Sequence, residues 1–211
     1  MKPAFRDRAA AGARLAAMLE KYRASDALVL AIPAGGVPVG AAIARELGLP
    51  LQAAPVSKVL YPWTTESGFG AVAFDGSVWL DEKAIGASRL AKPEIEKAVA
   101  DARTKVERRS RKLLGNRMLS DLSGKTVILV DDGIAAGSTM RTAIAALRRL
   151  GAGRLVVAVP TAPSRSVEAV RKLADEIVCA DIRGGAWFAV ADAYEEWRDL
   201  SDDEVEAMLR R

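Results

Sequence analysis

Apolar residues fall into two kinds of run along this chain. Leu28–Ile32, Val127–Val130 and Leu155–Val159 are continuous, with no polar break, as strands buried on both faces are. Other stretches repeat every three or four residues, the spacing of one helical face. Ala11, Leu15, Met18 and Leu19 predict a helix over Asp7–Tyr22, and Val37–Leu47 a second, ended by Gly48 and Pro50. Further helices are predicted at Thr139–Leu150 and Ser166–Leu173, and further strands at Leu51–Val59 and Glu176–Ala180. Pro55 has no N–H to give, which puts part of the Leu51–Val59 strand near a sheet edge. Such alternation predicts an α/β fold, a doubly wound parallel sheet with right-handed crossovers and helices on both faces, as one domain over 1–211.

Two segments interrupt the alternation. Residues 60–83 are rich in Gly, Pro, Trp and Thr, and Ala71–Phe74 and Val78–Leu80 flank the turn Asp75-Gly76. That pattern predicts a hairpin or mobile flap inserted after the second strand. Residues 94–114 predict a long helix opened by Pro93, with Ile95, Val99, Ala102, Val106 and Leu113 near one stripe. Its end, Arg108-Arg109-Ser110-Arg111-Lys112, is basic. It reads either as a solvated face with cations near a helix C-terminus or as a patch for a partner or nucleic acid. Ser201-Asp202-Asp203-Glu204 fits a capping box ahead of Val205, Met208 and Leu209.

Composition narrows the chemistry. The chain has 211 residues, half apolar, and a net charge of +4, which suits an anionic ligand or weak nucleic-acid contact. No apolar run is long enough to span a membrane and the N-terminus lacks a signal-peptide core, so the expected location is the cytoplasm. There is no histidine, which excludes Ser-His-Asp chemistry and His-ligated metal. The single cysteine, Cys179, sits in an apolar strand pattern and is expected to be a small buried hydrophobe.

The most informative stretch is 127–140. A buried strand runs straight into Asp131 and Asp132, then a loop of small residues, Gly133 to Ser138, and a helix start at Thr139. Paired carboxylates can accept hydrogen bonds from vicinal hydroxyls. Loop amides with Ser138 and Thr139 can cradle a phosphate at the positive end of a helix dipole. The segment resembles the phosphoribosyl-pyrophosphate (PRPP) signature of type I phosphoribosyltransferases, an apolar strand, two acids and then Thr-Gly-x-Thr. Here those last positions read Ala136-Gly137-Ser138-Thr139, with one hydroxyl fewer. The pieces Gly35-Gly36-Val37-Pro38-Val39, Gly68-Phe69-Gly70-Ala71-Val72 and Phe188-Ala189-Val190-Ala191-Asp192-Ala193-Tyr194 extend the resemblance to bacterial and archaeal predicted members of that family.

The resemblance implies a type I phosphoribosyltransferase fold with a hood built from 60–83 and the chain termini. It implies transfer of ribose 5-phosphate from PRPP to an acceptor, possibly a purine base. Asp131, Asp132, Gly133, Ala135, Ala136, Gly137, Ser138 and Thr139 then bind the ribose and 5′-phosphate. Ala34, Gly35 and Gly36 bind pyrophosphate. Many relatives carry Arg or Lys where this chain has Ala34, so Lys58 is the candidate compensating cation. Mg²⁺ is expected on pyrophosphate and ribose oxygens, with no dedicated protein metal site. Trp187 or Phe188 would stack on the acceptor. The loop acid of hypoxanthine-type relatives is replaced by Ala135, leaving Glu66 or Asp75 as candidate bases. Residues 60–75 would close over the site. A homo-oligomer, a dimer, is the expected assembly. The rival expectation is a non-catalytic PRPP or nucleotide sensor of the same fold that binds nucleic acid.

Overall fold

The computed structural model describes residues 2–65, 67–115, 119, 122–185 and 188–210. Its strands are β1 (Leu28–Ala31), β2 (Leu51–Ala53), β3 (Val56–Leu60), β4 (Gly68–Ala73), β5 (Val78–Leu80), β6 (Thr126–Val130), β7 (Arg154–Pro163) and β8 (Glu176–Arg183). Its helices are α1 (Arg8–Met18), α2 (Gly36–Leu47), α3 (Glu82–Ser88), α4 (Lys92–Leu114), α5 (Ser138–Arg149), α6 (Ser164–Arg171) and α7 (Asp202–Leu209). No helix among the described residues is long and apolar enough to cross a membrane.

Five strands form a parallel sheet in the order β2-β1-β6-β7-β8. Strand alternation sorts the core into two layers. Val29, Ile128, Val130 and Val156 face α1 and α2, meeting Leu15, Leu19, Ile43 and Leu47. Leu30, Val127, Leu129, Leu155 and Val157 face the other way, onto Met140, Ile144 and Leu147 of α5 and Val167 and Val170 of α6. Each such fully buried side chain contributes roughly 1.5–3 kcal/mol, which is why these strands tolerate no polar residue on either face. Chain order reverses between β1 and β6. The connection from β1 leads outward to β2, and the strands after β6 run the other way. A crevice opens at the carboxyl ends of strands where the order reverses in this way.

The predicted Leu51–Val59 strand is two strands. Ala54 N–H still donates to Ala31 O at 2.8 Å, and then Pro55, which has no N–H, lets the chain leave the parallel sheet. Residues from Val56 onward pair in a second, three-stranded antiparallel sheet, β3-β4-β5. The predicted hairpin around Asp75-Gly76 is present, with Gly76 at φ +79°. It is packed as a layer, not loose as a flap. Phe69 and Val72 are buried against Val59 and against Ala102 and Val106 of α4, and Ala71 and Ala73 join the main core. Trp63, on the connection from β3 to β4, is 65% exposed and stacks on Tyr61 at 5.2 Å.

The predicted long helix is α4, opened by Pro93 at its first turn. Glu94 accepts from the Ala91 N–H, the half of a capping box that an alanine N-cap permits. Both halves are present at α7, where Ser201 accepts from the Glu204 N–H and Glu204 accepts from the Ser201 N–H. Val205 of α7 seats α7 against Ala31 and Val37. Cys179 lies in β8 and is half-buried, not fully buried as expected, because β8 is the outer strand of the sheet. Its partial burial pushes the thiol up to about 11.

Candidate active site

Two loops leave the carboxyl ends of β1 and β6, the adjacent strands at the reversal. The loop after β6 is held rigidly. Ile134 is buried and its N–H donates to Thr161 O at 3.0 Å, and Ser166 Oγ donates to Ala135 O at 2.6 Å. Ala135 and Ala136 stay exposed between these anchors. Gly137, at φ +86°, makes the left-handed step that turns the chain into α5. No side chain caps α5 at its N-cap, so its first amides, beside Ser138 and Thr139, have no side-chain acceptor there, the donor arrangement that suits an anion.

The loop after β1 carries a cis peptide between Pro33 and Ala34. Gly36 N–H donates back to Ile32 O at 3.0 Å as α2 begins. The two loops touch through glycine. A Cβ on Gly35 would stand 1.8 Å from Asp132 Oδ2, and one on Gly36 would stand 2.8 Å from Val130 O. Side chains are thus excluded where the two loops meet, leaving backbone amides beside carboxylates.

The acids differ in their surroundings. Asp131 Oδ1 accepts from the Asp132 N–H at 2.9 Å. Burial and then the Asp132 charge hold its carboxyl well above the usual carboxylate range, with Lys58 pulling the other way. Burial also raises Asp132, opposed by Arg8, whose Nε donates to Asp132 Oδ2 at 2.9 Å. Tyr194 OH donates to Asp132 O at 2.5 Å. Burial and the nearby Asp132 raise that phenol far above its ordinary value, so it remains a donor.

A family model for the phosphoribosyl transferase domain matches residues 5–195 of this sequence. The chain belongs to the phosphoribosyl transferase family. Two Mycobacterium tuberculosis relatives that carry provisional phosphoribosyl transferase names, MT0597 of strain CDC 1551 and Rv0571c of strain H37Rv, are each 34% identical over 207 residues. The alignment takes in 98% of this chain and 46% of each relative, so the chain spans about half their length. The crystal structure of TT1426 from Thermus thermophilus is 34% identical, with a TM-score of 0.74 over 99% of this chain and 98% of that one. A purine phosphoribosyltransferase from Pyrococcus horikoshii is 18% identical, with a TM-score of 0.47 over 90% of each chain, too distant to choose an acceptor.

Within this phosphoribosyl transferase domain, most of the expected site residues converge. Asp131 to Thr139 and Ala34 to Gly36 face one another across the reversal. Lys58 sits on β3, paired with Ala71, and not at the end of a parallel strand as expected. Its charge nevertheless reaches both acids. Phe188 is half-buried on the segment after β8. Two residues further on, Val190 abuts the acidic loop, since a Cβ on Gly133 would stand 2.6 Å from Val190 Cγ1. Glu66 and Trp187 lie outside the described residues. Asp75 accepts from Ser77 and pairs with Arg149 at 2.9 Å, at the far end of α5 from Ser138. It is a turn residue and not a base.

Three participants escaped sequence reasoning. Arg8, buried at the start of α1, reaches Asp132 and lies 3.8 Å from the Trp197 ring centroid. Tyr194 supports the same acid from the opposite end of the chain. Arg109 donates from Nη1 to Pro33 O at 3.3 Å, at the cis peptide. The basic cluster that contains Arg109 is neither a plain solvated face nor an open patch. Arg108 and Arg109 pair with Asp202, and Lys112 pairs with Asp203, tying α4 to the first turn of α7.

Proposed function

We propose that this domain transfers a ribose 5-phosphate group from PRPP to an acceptor nitrogen and releases pyrophosphate. The observation that carries this reading is the contact between the two loops, with Gly35 pressed on Asp132 across the strand-order reversal. Ser138, Thr139 and the amides of Ala135 to Gly137 hold the 5′-phosphate at the positive end of α5. Asp131 and Asp132, reached by Gly133, accept from the ribose hydroxyls. The amides of Ala34, Gly35 and Gly36 take the departing pyrophosphate, with Lys58 adding charge. As the bond to pyrophosphate breaks, positive charge grows on the ribose, and the two carboxylates lie on the side that stabilises it.

The chemistry of the donor set fits Mg²⁺ arriving on PRPP. Asp131 and Asp132 offer the oxygen donors that suit a hard cation carried in on PRPP. The ion, when bound, withdraws charge from the leaving group, while Asp131 and Asp132 orient the sugar that carries it. Phe188 or Trp187 stacks on the acceptor, with a purine the leading class, and Glu66 is the candidate base. Arg108, Arg109 and Lys112 of the basic cluster pair with acids of α7, which favours the transfer reading over a nucleic-acid sensor.

The double substitution Asp131→Asn with Asp132→Asn is expected to weaken PRPP binding about 100-fold or more, since two charge-assisted acceptors are lost. Calorimetry with PRPP and Mg²⁺ checks this, and unchanged affinity in a folded variant would overturn the site. A panel of bases, followed by pyrophosphate release, checks the transfer itself. PRPP binding without release for any base would leave a binder and refute the enzyme.

A further inference from the structure

The loop proposed to receive pyrophosphate has no cationic side chain of its own, because its second residue is Ala34. The neighbouring helix is crowded with cations instead. Lys105 and Arg109 are four residues apart on α4 and share one face. Arg109 is 14% exposed, gives Nε to Asp202 at 2.9 Å and gives Nη1 to the carbonyl of the cis peptide. Lys105 and Lys58 line the same groove, about 460 Å³, between α4 and β3. Lys105 has no ion pair among the described residues. Lys105 is exposed, in a groove that Glu94 and Asp101 also line. The desolvation that remains lowers its ammonium, Arg109, Arg108 and Lys58 lower it further, and Asp202 acts the other way.

Such an arrangement is electrostatically unfinished. Asp202 already serves Arg108 and Arg109. Lys105, Lys58 and Arg108 are exposed and Arg109 is half-buried. Like charges gathered together still raise one another's free energy, and a multiply charged anion entering between them reverses the sign of that term. Arg109 ties this group of cations to the Pro33 carbonyl, at the start of the loop proposed to receive pyrophosphate.

We infer that Lys105 and Arg109 of α4 complete the pyrophosphate side of the site, supplying from the inserted helix the charge that the loop lacks at Ala34. Arg109 is the positioning residue, since it fixes the Pro33 carbonyl while Asp202 fixes Arg109. Lys105 is the anion contact. The inference rests on the phosphoribosyl transfer reading and adds to it the residues that bind the leaving group.

The test titrates inorganic pyrophosphate and, separately, ribose 5-phosphate into the wild type and the variants Lys105→Met, Lys105→Arg and Arg109→Gln. Lys105→Met keeps the aliphatic stem and is expected to leave Tm unchanged. Its pyrophosphate affinity should fall about tenfold, the loss of one charge-assisted contact, and Lys105→Arg should restore most of it. Arg109→Gln should show the same selective loss. Ribose 5-phosphate affinity, which depends on the Asp131–Thr139 loop, should stay within about twofold throughout, below the ~1 kcal/mol of one hydrogen bond. Unchanged pyrophosphate affinity in Lys105→Met and Arg109→Gln would overturn the inference and leave the transfer reading standing. Equal loss of both ligands would also overturn it, as an effect of overall charge. A wild type that binds ribose 5-phosphate but not pyrophosphate refutes the inference alone, and one that binds neither refutes the transfer reading with it.

Discussion

Asp131 shows how the role proposed for a residue can oppose stability. Its carboxyl is buried beside a second acid and sits well above the usual range. In an unfolded chain it titrates near about 3.9. Between that value and its raised folded value, the folded chain keeps a proton that the unfolded chain has released. Stability therefore falls as pH rises through this window and stays lower above it. Asp131→Asn removes the dependence. The ligand-free variant is expected to melt above the wild type at neutral pH and close to it at acid pH, by about 2–4 °C for each kcal/mol recovered. Melting curves at several pH values check this, and a difference that does not change with pH would refute it. The same variant should lose ligand, so stability and binding move in opposite directions.

At the scale of elements, the link between α4 and α7 is the informative feature. Neither helix is anchored to the candidate-site loops by sequence proximity. They are joined by Asp202 and Asp203 meeting Arg108, Arg109 and Lys112, and α7 is started by the Ser201–Glu204 box. Arg198 and the Ser201 N–H hold the exposed Glu204 carboxyl at about 2, so the box stays ionised over the whole working range. Ser201→Ala removes the N-cap acceptor and is expected to cost about 1 kcal/mol. In a chain of this size that lowers Tm by about 2–4 °C, which differential scanning fluorimetry resolves. If the α7 start also holds Asp202 in place, the variant should weaken pyrophosphate binding more than ribose 5-phosphate binding. An unaltered Tm would mean that the box contributes nothing.

At the scale of the molecule, both ends of the described chain converge on one carboxylate. Arg8, on α1, pairs with Asp132 and stacks on Trp197, while its Nη1 donates to Arg198 O at 2.9 Å. Phe5 and Tyr194 bridge as strand partners with their rings 5.8 Å apart. With side chains 9% and 15% exposed, the Arg8–Asp132 pair is a buried one. Arg8→Met strands the carboxylate and is expected to cost about 3 kcal/mol. Asp132→Asn strands the guanidinium in turn. The double variant should cost less than the sum of the two, by about 0.5–3 kcal/mol, in urea denaturation. Strict additivity would show that the pair is not coupled.

The strands, the helices and the two small-residue loops at the ends of β1 and β6 were legible in the sequence because each is set by a local pattern. Unbroken apolar runs demand burial on both faces, and small residues at strand ends permit backbone to approach a ligand. The Asp131–Thr139 and Ala34–Gly36 readings depend on nothing further away than a few positions. Pro55 was recognised as a disturbance, but whether the strand stayed at an edge or left for a second sheet depended on the hood strands available to receive it. The partners of the site were out of reach. Arg8 lies 124 positions from Asp132, and Arg109 lies 76 from Pro33. A charged residue on an amphipathic helix looks the same in sequence whether it meets water or a buried acid. Its partner is chosen by the order of strands across the sheet and by where the crossovers set each helix down. Local periodicity thus determined the elements and the backbone of the site, whereas the charges that surround it were decided by topology, because electrostatic pairing follows distance in space and not along the chain.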